Sequence, residues 1–180
     1  KAMKNAYAGH LKYSFQLRPH TVADQAYIGA YQGIGVGYFN FGNPEELGNP
    51  LAVYLFQGGR IAQFSPRISL NYEWNFGASF GWKPYDEYDN PENQIIGSKV
   101  NAYLNVNLYL KWALSPKFDL MIGATGSHFS NGNTQYPNSG LNTVDCKVGL
   151  VYNFNRRADE LAQSWQRPIV PPFPRHVSYD

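Results

Sequence analysis

A chain of 180 residues has the size of a single domain. Its 15 basic and 13 acidic residues leave a net charge of +2 with no basic cluster of the kind that holds nucleic acid, and the single Cys146 excludes an intrachain disulfide. Aromatic residues reach 16% beside 17 Gly and 12 Pro, yet the longest apolar run is Leu51 to Phe56, far short of the roughly 20 apolar residues a spanning helix needs.

The chain opens at Lys1 with no apolar leader, which suggests a removed signal peptide or a piece of a longer chain. From about residue 9 to 154 the dominant signal is alternation of period two. It predicts strands near 9–17, 27–40, 51–62, 67–82, 98–113, 118–130 and 142–154, with the charges scattered through loops. The first strand carries His10, and the turn after it His20; neither has a partner at metal-ligand spacing. A longer polar loop follows at 41–50, then a short turn at Gln63-Phe64-Ser65-Pro66. The stretch 68–82 alternates most cleanly: Ile68, Leu70, Tyr72, Trp74, Phe76, Ala78, Phe80 and Trp82 face one side, opposite Ser69, Asn71, Glu73, Asn75 and Ser79. A second long loop spans 83–97. The next strand sets Val100, Ala102, Leu104, Val106, Leu108, Leu110 and Trp112 against Asn101, Asn105, Asn107 and Lys111. A short turn at Leu114-Ser115-Pro116-Lys117, a third long loop at 131–141, and an aromatic ending at Phe154 complete the pattern.

Such long strands, apolar on one face only and joined alternately by short and long connections, predict an all-β, antiparallel, up-and-down transmembrane β-barrel. The short turns would be periplasmic and the long loops extracellular. Seven strands is an odd number for a bacterial barrel, so the expected architecture has about eight, with one N-terminal strand upstream of Lys1 or outside this sequence. Residues 1–154 form the barrel on this reading. In 155–180, a short helix from Asn155 to Trp165 would precede an extended stretch enforced by Pro168, Pro171, Pro172 and Pro174, a periplasmic proline-rich tail.

Chemistry concentrates in His128-Phe129-Ser130-Asn131-Gly132 and Pro137-Asn138-Ser139-Gly140-Leu141-Asn142. By parity His128 and Ser130 share a face with Phe118, Leu120, Ile122 and Ala124, and Asn142 shares one with Val144, Cys146, Val148 and Leu150. Three polar side chains therefore fall on the bilayer side, where polar groups are costly and usually functional. Residues i and i+2 of a strand lie about 7 Å apart, close enough for His128 to act as general base toward a Ser130 nucleophile. The 131–141 loop brings Asn142 back to the same strand end, where it can fix the imidazole tautomer. Asp145, the nearby carboxylate, points to the lumen by parity. The competing reading is that Ser-Asn-Gly is turn chemistry at a strand end and His128 an interfacial residue.

His128-Phe129-Ser130-Asn131, with Pro137-Asn138 and Gly140, resembles the active-site signature of PagL-type lipid A 3-O-deacylases, and 42–50 and 82–86 are similar to longer members of that family. The resemblance spans roughly 9 to 154. It implies a barrel whose site faces the membrane, with His128 as base, Ser130 as nucleophile and Asn138, together with Asn131, donating to the oxyanion. It further implies lipid A of the outer leaflet as substrate, the outer membrane of a Gram-negative bacterium as location, and neither metal nor cofactor. Two departures stand out. Familiar members carry Glu where this chain has Asn142, and they stop near the final aromatic residue. These departures leave a second hypothesis, a barrel of weak or no activity serving as a lipid-binding or accessory subunit with a protein partner docking through 155–180. A third, a soluble β-sandwich, conflicts with the aromatic outer faces.

Overall fold

A computed structural model of the protein describes residues 5–16, 27 and 29–158. Seven strands follow one another: β1 (Tyr7–Gln16), β2 (Tyr31–Asn40), β3 (Gly48–Gln63), β4 (Ile68–Trp82), β5 (Val100–Ala113), β6 (Phe118–Ser130) and β7 (Leu141–Tyr152). Each pairs antiparallel with the next, in the spatial order of the sequence. This is the up-and-down meander that period two foretold, and it curls into an open half-barrel. Two tight turns join β3 to β4 and β5 to β6, while the loops after β2, β4 and β6 lie together at the opposite end. Among the described residues no helix is long and apolar enough to cross a membrane. Most of the 155–180 tail, including the expected helix and the prolines, lies outside the described residues.

The pleat sends alternate side chains to opposite faces, and the two faces differ sharply. Outward point Leu11, Ile34, Val53, Leu55, Trp74, Phe76, Leu104, Val106, Leu108, Val144 and Val148, all exposed. Inward, at the long-loop end, Phe39, Phe41, Leu47, Trp82, Ile96, Tyr103, Phe129 and Leu141 form a buried cluster. Ring contacts such as Phe39–Phe129 at 5.0 Å and Phe41–Trp82 at 5.5 Å bind it, each worth about 0.5–1.5 kcal/mol beyond the area buried. Room for these rings comes from β2, whose inward positions include Gly35. A Cβ there would lie 2.5 Å from the Tyr54 ring.

Farther along the lumen the filling turns polar. Glu73 on β4, 2% exposed, pairs with Lys12 of β1 and with Lys147 of β7, the latter at 3.3 Å. It also accepts from Tyr31 at 3.1 Å and Asn107 at 3.2 Å. Strands at opposite edges of the sheet thus converge on one carboxylate, which defines the curl. The expectation that the charges scatter through loops is corrected here: Lys12, Glu73 and Lys147 sit on strands and face inward, because the inner face of the curl is where a strand can place charge and pair it. At the short-turn end Arg156 donates to the Ser115 carbonyl at 2.6 Å, the Pro116 carbonyl at 3.0 Å and the Asp119 carboxylate at 2.8 Å. The start of the tail is therefore tied to that end.

One aromatic side chain leaves its predicted face. Trp82 belongs by parity with Phe80 on the outside, yet it is 4% exposed within the aromatic cluster and donates its indole N–H to Ser79 at 2.9 Å. Gly81, at φ 87°, takes up the reversal, and the β3–β4 pairing shifts register between Gly48 and Leu51 beside it. A bulge of this kind flips every side chain beyond it.

Candidate active site

β6 and β7 pair so that His128 faces Asn142 directly, and the β5–β6 register sets Ser130 opposite Ala102. The neighbours Ser127 and Phe129 are buried inside. His128, Ser130 and Asn142 accordingly project from the outer surface, at the end of the barrel where the long loops gather.

The three side chains form one hydrogen-bonded line. His128 Nδ1 lies 2.7 Å from Asn142 Oδ1, and His128 Nε2 lies 2.9 Å from Ser130 Oγ. An amide oxygen can only accept, so it fixes the proton on Nδ1 and leaves the Nε2 lone pair directed at the serine hydroxyl. That is the tautomer in which an imidazole can take a proton from serine. Asn142 supplies orientation without negative charge. Among the described residues no group of three or more His, Cys, Asp or Glu side chains is placed to hold a metal ion.

The 131–140 loop folds back over this line. Gly140, at φ 70°, passes so near that a Cβ would meet His128 Cε1 at 3.2 Å, so both the backbone conformation and the space at this point favour glycine. Asn138 lies within the same loop. Its Oδ1 accepts the backbone N–H of Asn131 at 3.1 Å, and its Nδ2 donates to Asn133 Oδ1 at 2.9 Å. Because an amide nitrogen carries two hydrogens, Asn138 retains one N–H beside the residue that follows Ser130. Asn131 has its backbone N–H taken by Asn138 and donates one side-chain hydrogen to the Gln135 carbonyl at 2.8 Å, which likewise leaves one amide hydrogen outside these bonds. The remaining histidine among the described residues, His10, faces the lumen and contacts the Tyr54 hydroxyl at 2.9 Å.

Sequence reasoning missed the framework around this loop. Ser139 Oγ donates to the Gln94 carbonyl at 3.1 Å, and the Gly140 N–H to the Ile95 carbonyl at 3.3 Å. The 83–97 segment, read as a polar loop, is thus packed against the site. The signal was the apolar pair Ile95-Ile96 within an otherwise polar stretch.

Comparison with known proteins bears on this geometry. No curated protein and no solved structure matches the chain. The family model for lipid A 3-O-deacylase (PagL) matches residues 8–155, a span that contains every strand residue but Tyr7 and the whole His128–Ser130–Asn142 line. The chain belongs to the lipid A 3-O-deacylase (PagL) family.

Proposed function

We propose that the protein is a serine esterase of the outer membrane that releases a 3-O-linked acyl chain from lipid A, using Ser130 and His128 at the lipid-facing surface. The observation that carries this reading is the hydrogen-bonded line Asn142–His128–Ser130, with spacings of 2.7 and 2.9 Å, set among outward apolar side chains. A polar triad confronting hydrocarbon has little structural purpose. It is suited to an ester that arrives laterally within a leaflet.

In the first step Ser130 Oγ attacks the ester carbonyl carbon as its proton passes to His128 Nε2. The carbonyl oxygen becomes an oxyanion, toward which the remaining amide hydrogens of Asn138 and Asn131 would donate. Collapse of the tetrahedral adduct breaks the bond to the sugar oxygen, which takes the proton from His128 and leaves as an alcohol. Water, deprotonated by the same imidazole, then attacks the acyl-serine. It releases the fatty acid and restores the Ser130 hydroxyl. No metal or cofactor enters this sequence. The long-loop end would face outward from the cell, where lipid A resides, with the short turns and the 155–180 tail on the periplasmic side.

Asn142 favours a second reading. An amide cannot neutralise the imidazolium that forms in the first step, which points to a slow enzyme or to a lipid-binding barrel within a larger assembly. Mass spectrometry of lipid A from cells producing the protein separates the two. The esterase reading expects a population lighter by one hydroxyacyl chain, absent with Ser130→Ala at equal barrel abundance. Lipid A of unchanged mass, together with a partner co-purifying through residues 155–180, would decide for the accessory subunit.

A further inference from the structure

The segment between β4 and β5 is held by several buried contacts, and it lies at the same end of the barrel as Ser130. Asn93 is its anchor. This side chain, 2% exposed, donates from Nδ2 to the carbonyls of Lys83 at 2.8 Å and Glu46 at 3.1 Å, and its Oδ1 accepts the N–H groups of Ile95 at 3.0 Å and Ile96 at 3.1 Å. Ile96, fully buried, pins the same stretch into the aromatic cluster. At the outer end Asp86 closes a tight turn by accepting the N–H groups of Tyr88 at 2.9 Å and Asp89 at 3.0 Å. Those two bonds hold its carboxyl below the usual carboxylate range.

The anchored stretch meets the 131–140 loop at three successive points. Gln94 receives Ser139, Ile95 receives the Gly140 N–H, and at Gly97 the two backbones touch. A Cβ on Gly97 would lie 2.6 Å from the Pro137 carbonyl oxygen and 3.0 Å from that of Gln135. Neighbours at such distances are backbone, which cannot rotate away. Any side chain at 97 must push the 135–137 segment, and Asn138 follows directly in sequence.

We propose that the 83–99 segment is a brace that sets the position of the 131–140 loop, with Asn93 and Gly97 as positioning residues for the Asn138 amide. The consequence for rate rests on the esterase reading of Ser130. The brace itself does not. Displacing an oxyanion donor by about 1 Å can cost on the order of 10²-fold in rate, while substrate held mainly by the apolar outer wall would bind as before.

The test uses the protein in detergent micelles and two independent readouts. Gly97→Ala should speed amide hydrogen exchange at Asn131 and Gly140 by about tenfold or more while the β5–β6 ladder exchanges as in wild type. It should also lower kcat at least about tenfold with KM within about twofold, and Gly97→Val should lower it further. Asn93→Asp, which keeps the acceptor but loses both donations, should show the same split. Ser139→Ala, altering one exposed contact, supplies a mild variant of the same sign should the others fold poorly. Exchange unchanged at Asn131 and Gly140 in all variants would overturn the brace, whatever the activity. Exchange that responds in a protein without Ser130-dependent hydrolysis would support the brace and sink the esterase reading instead.

Discussion

At the scale of single residues, the esterase proposal turns on an amide. Asn142 holds the imidazole at 2.7 Å, and on that proposal it would leave an imidazolium uncompensated in surroundings of low dielectric, where charge is least well screened. In a serine protease the acid-to-amide change lowers turnover by about 10⁴. Asn142→Glu should therefore raise kcat by about tenfold or more with little change in KM, read as fatty acid released per barrel. No increase, in a folded variant, would show that His128 does not carry positive charge in the rate-limiting step. The grouping of His128, Ser130 and Asn142 was legible in the sequence because strand parity is strict and a hairpin returns the chain to a known point. The packing of the 131–140 loop was not, because it rests on contacts to a segment some forty residues away, such as Ser139 Oγ to the Gln94 carbonyl.

At the scale of elements, the outer row beside the site is low. Ala78, Ala102 and Ser130 stand in register across β4 to β6, while Phe76 and Leu104 on one side and Phe80 and Val100 on the other are exposed and larger. Ala102 leaves Ser130 open along the wall. Ala102→Trp should lower kcat/KM by about tenfold or more with barrel stability unchanged, since the new ring meets only the outer surface. Equal activity would mean that the ester reaches Ser130 from another direction. Inside the wall, Glu73 joins β1, β4 and β7. Glu73→Gln leaves two lysines without their anion and should lower stability by up to about 3 kcal/mol, measured as the urea midpoint of the heat-modifiable gel shift. An unchanged midpoint would show that lumen water compensates the lysines. Period two gave the strands to within a few residues, yet it could not reveal that partners three strands apart share one carboxylate, because such pairing depends on how far the sheet curls. The same limit explains Trp82: its face depends on the positive φ of Gly81 and on a register shift against β3, and neither shows in an alternation pattern.

At the scale of the whole molecule, the wall is inverted relative to a water-soluble domain. Val106 is 65% and Val144 87% exposed on the outside, while Asn71, Asn75, Asn105 and Asn107 are buried within. A soluble sandwich would bury the first set. The protein should accordingly stay with the outer-membrane fraction through high-salt and carbonate washes and be released only by detergent; recovery in the aqueous wash would contradict the membrane reading. The aromatic cluster fills the interior of the curl at the long-loop end.

The most direct measurement of the central claim is covalent trapping at the serine. The detergent-solubilised protein is treated with a long-chain alkyl fluorophosphonate and digested for peptide mass spectrometry. The account predicts a phosphonyl adduct on Ser130, formed much more slowly in His128→Ala and faster in Asn142→Glu. A wild-type protein that stays unlabelled at Ser130, or labels there equally well without the imidazole, would contradict it.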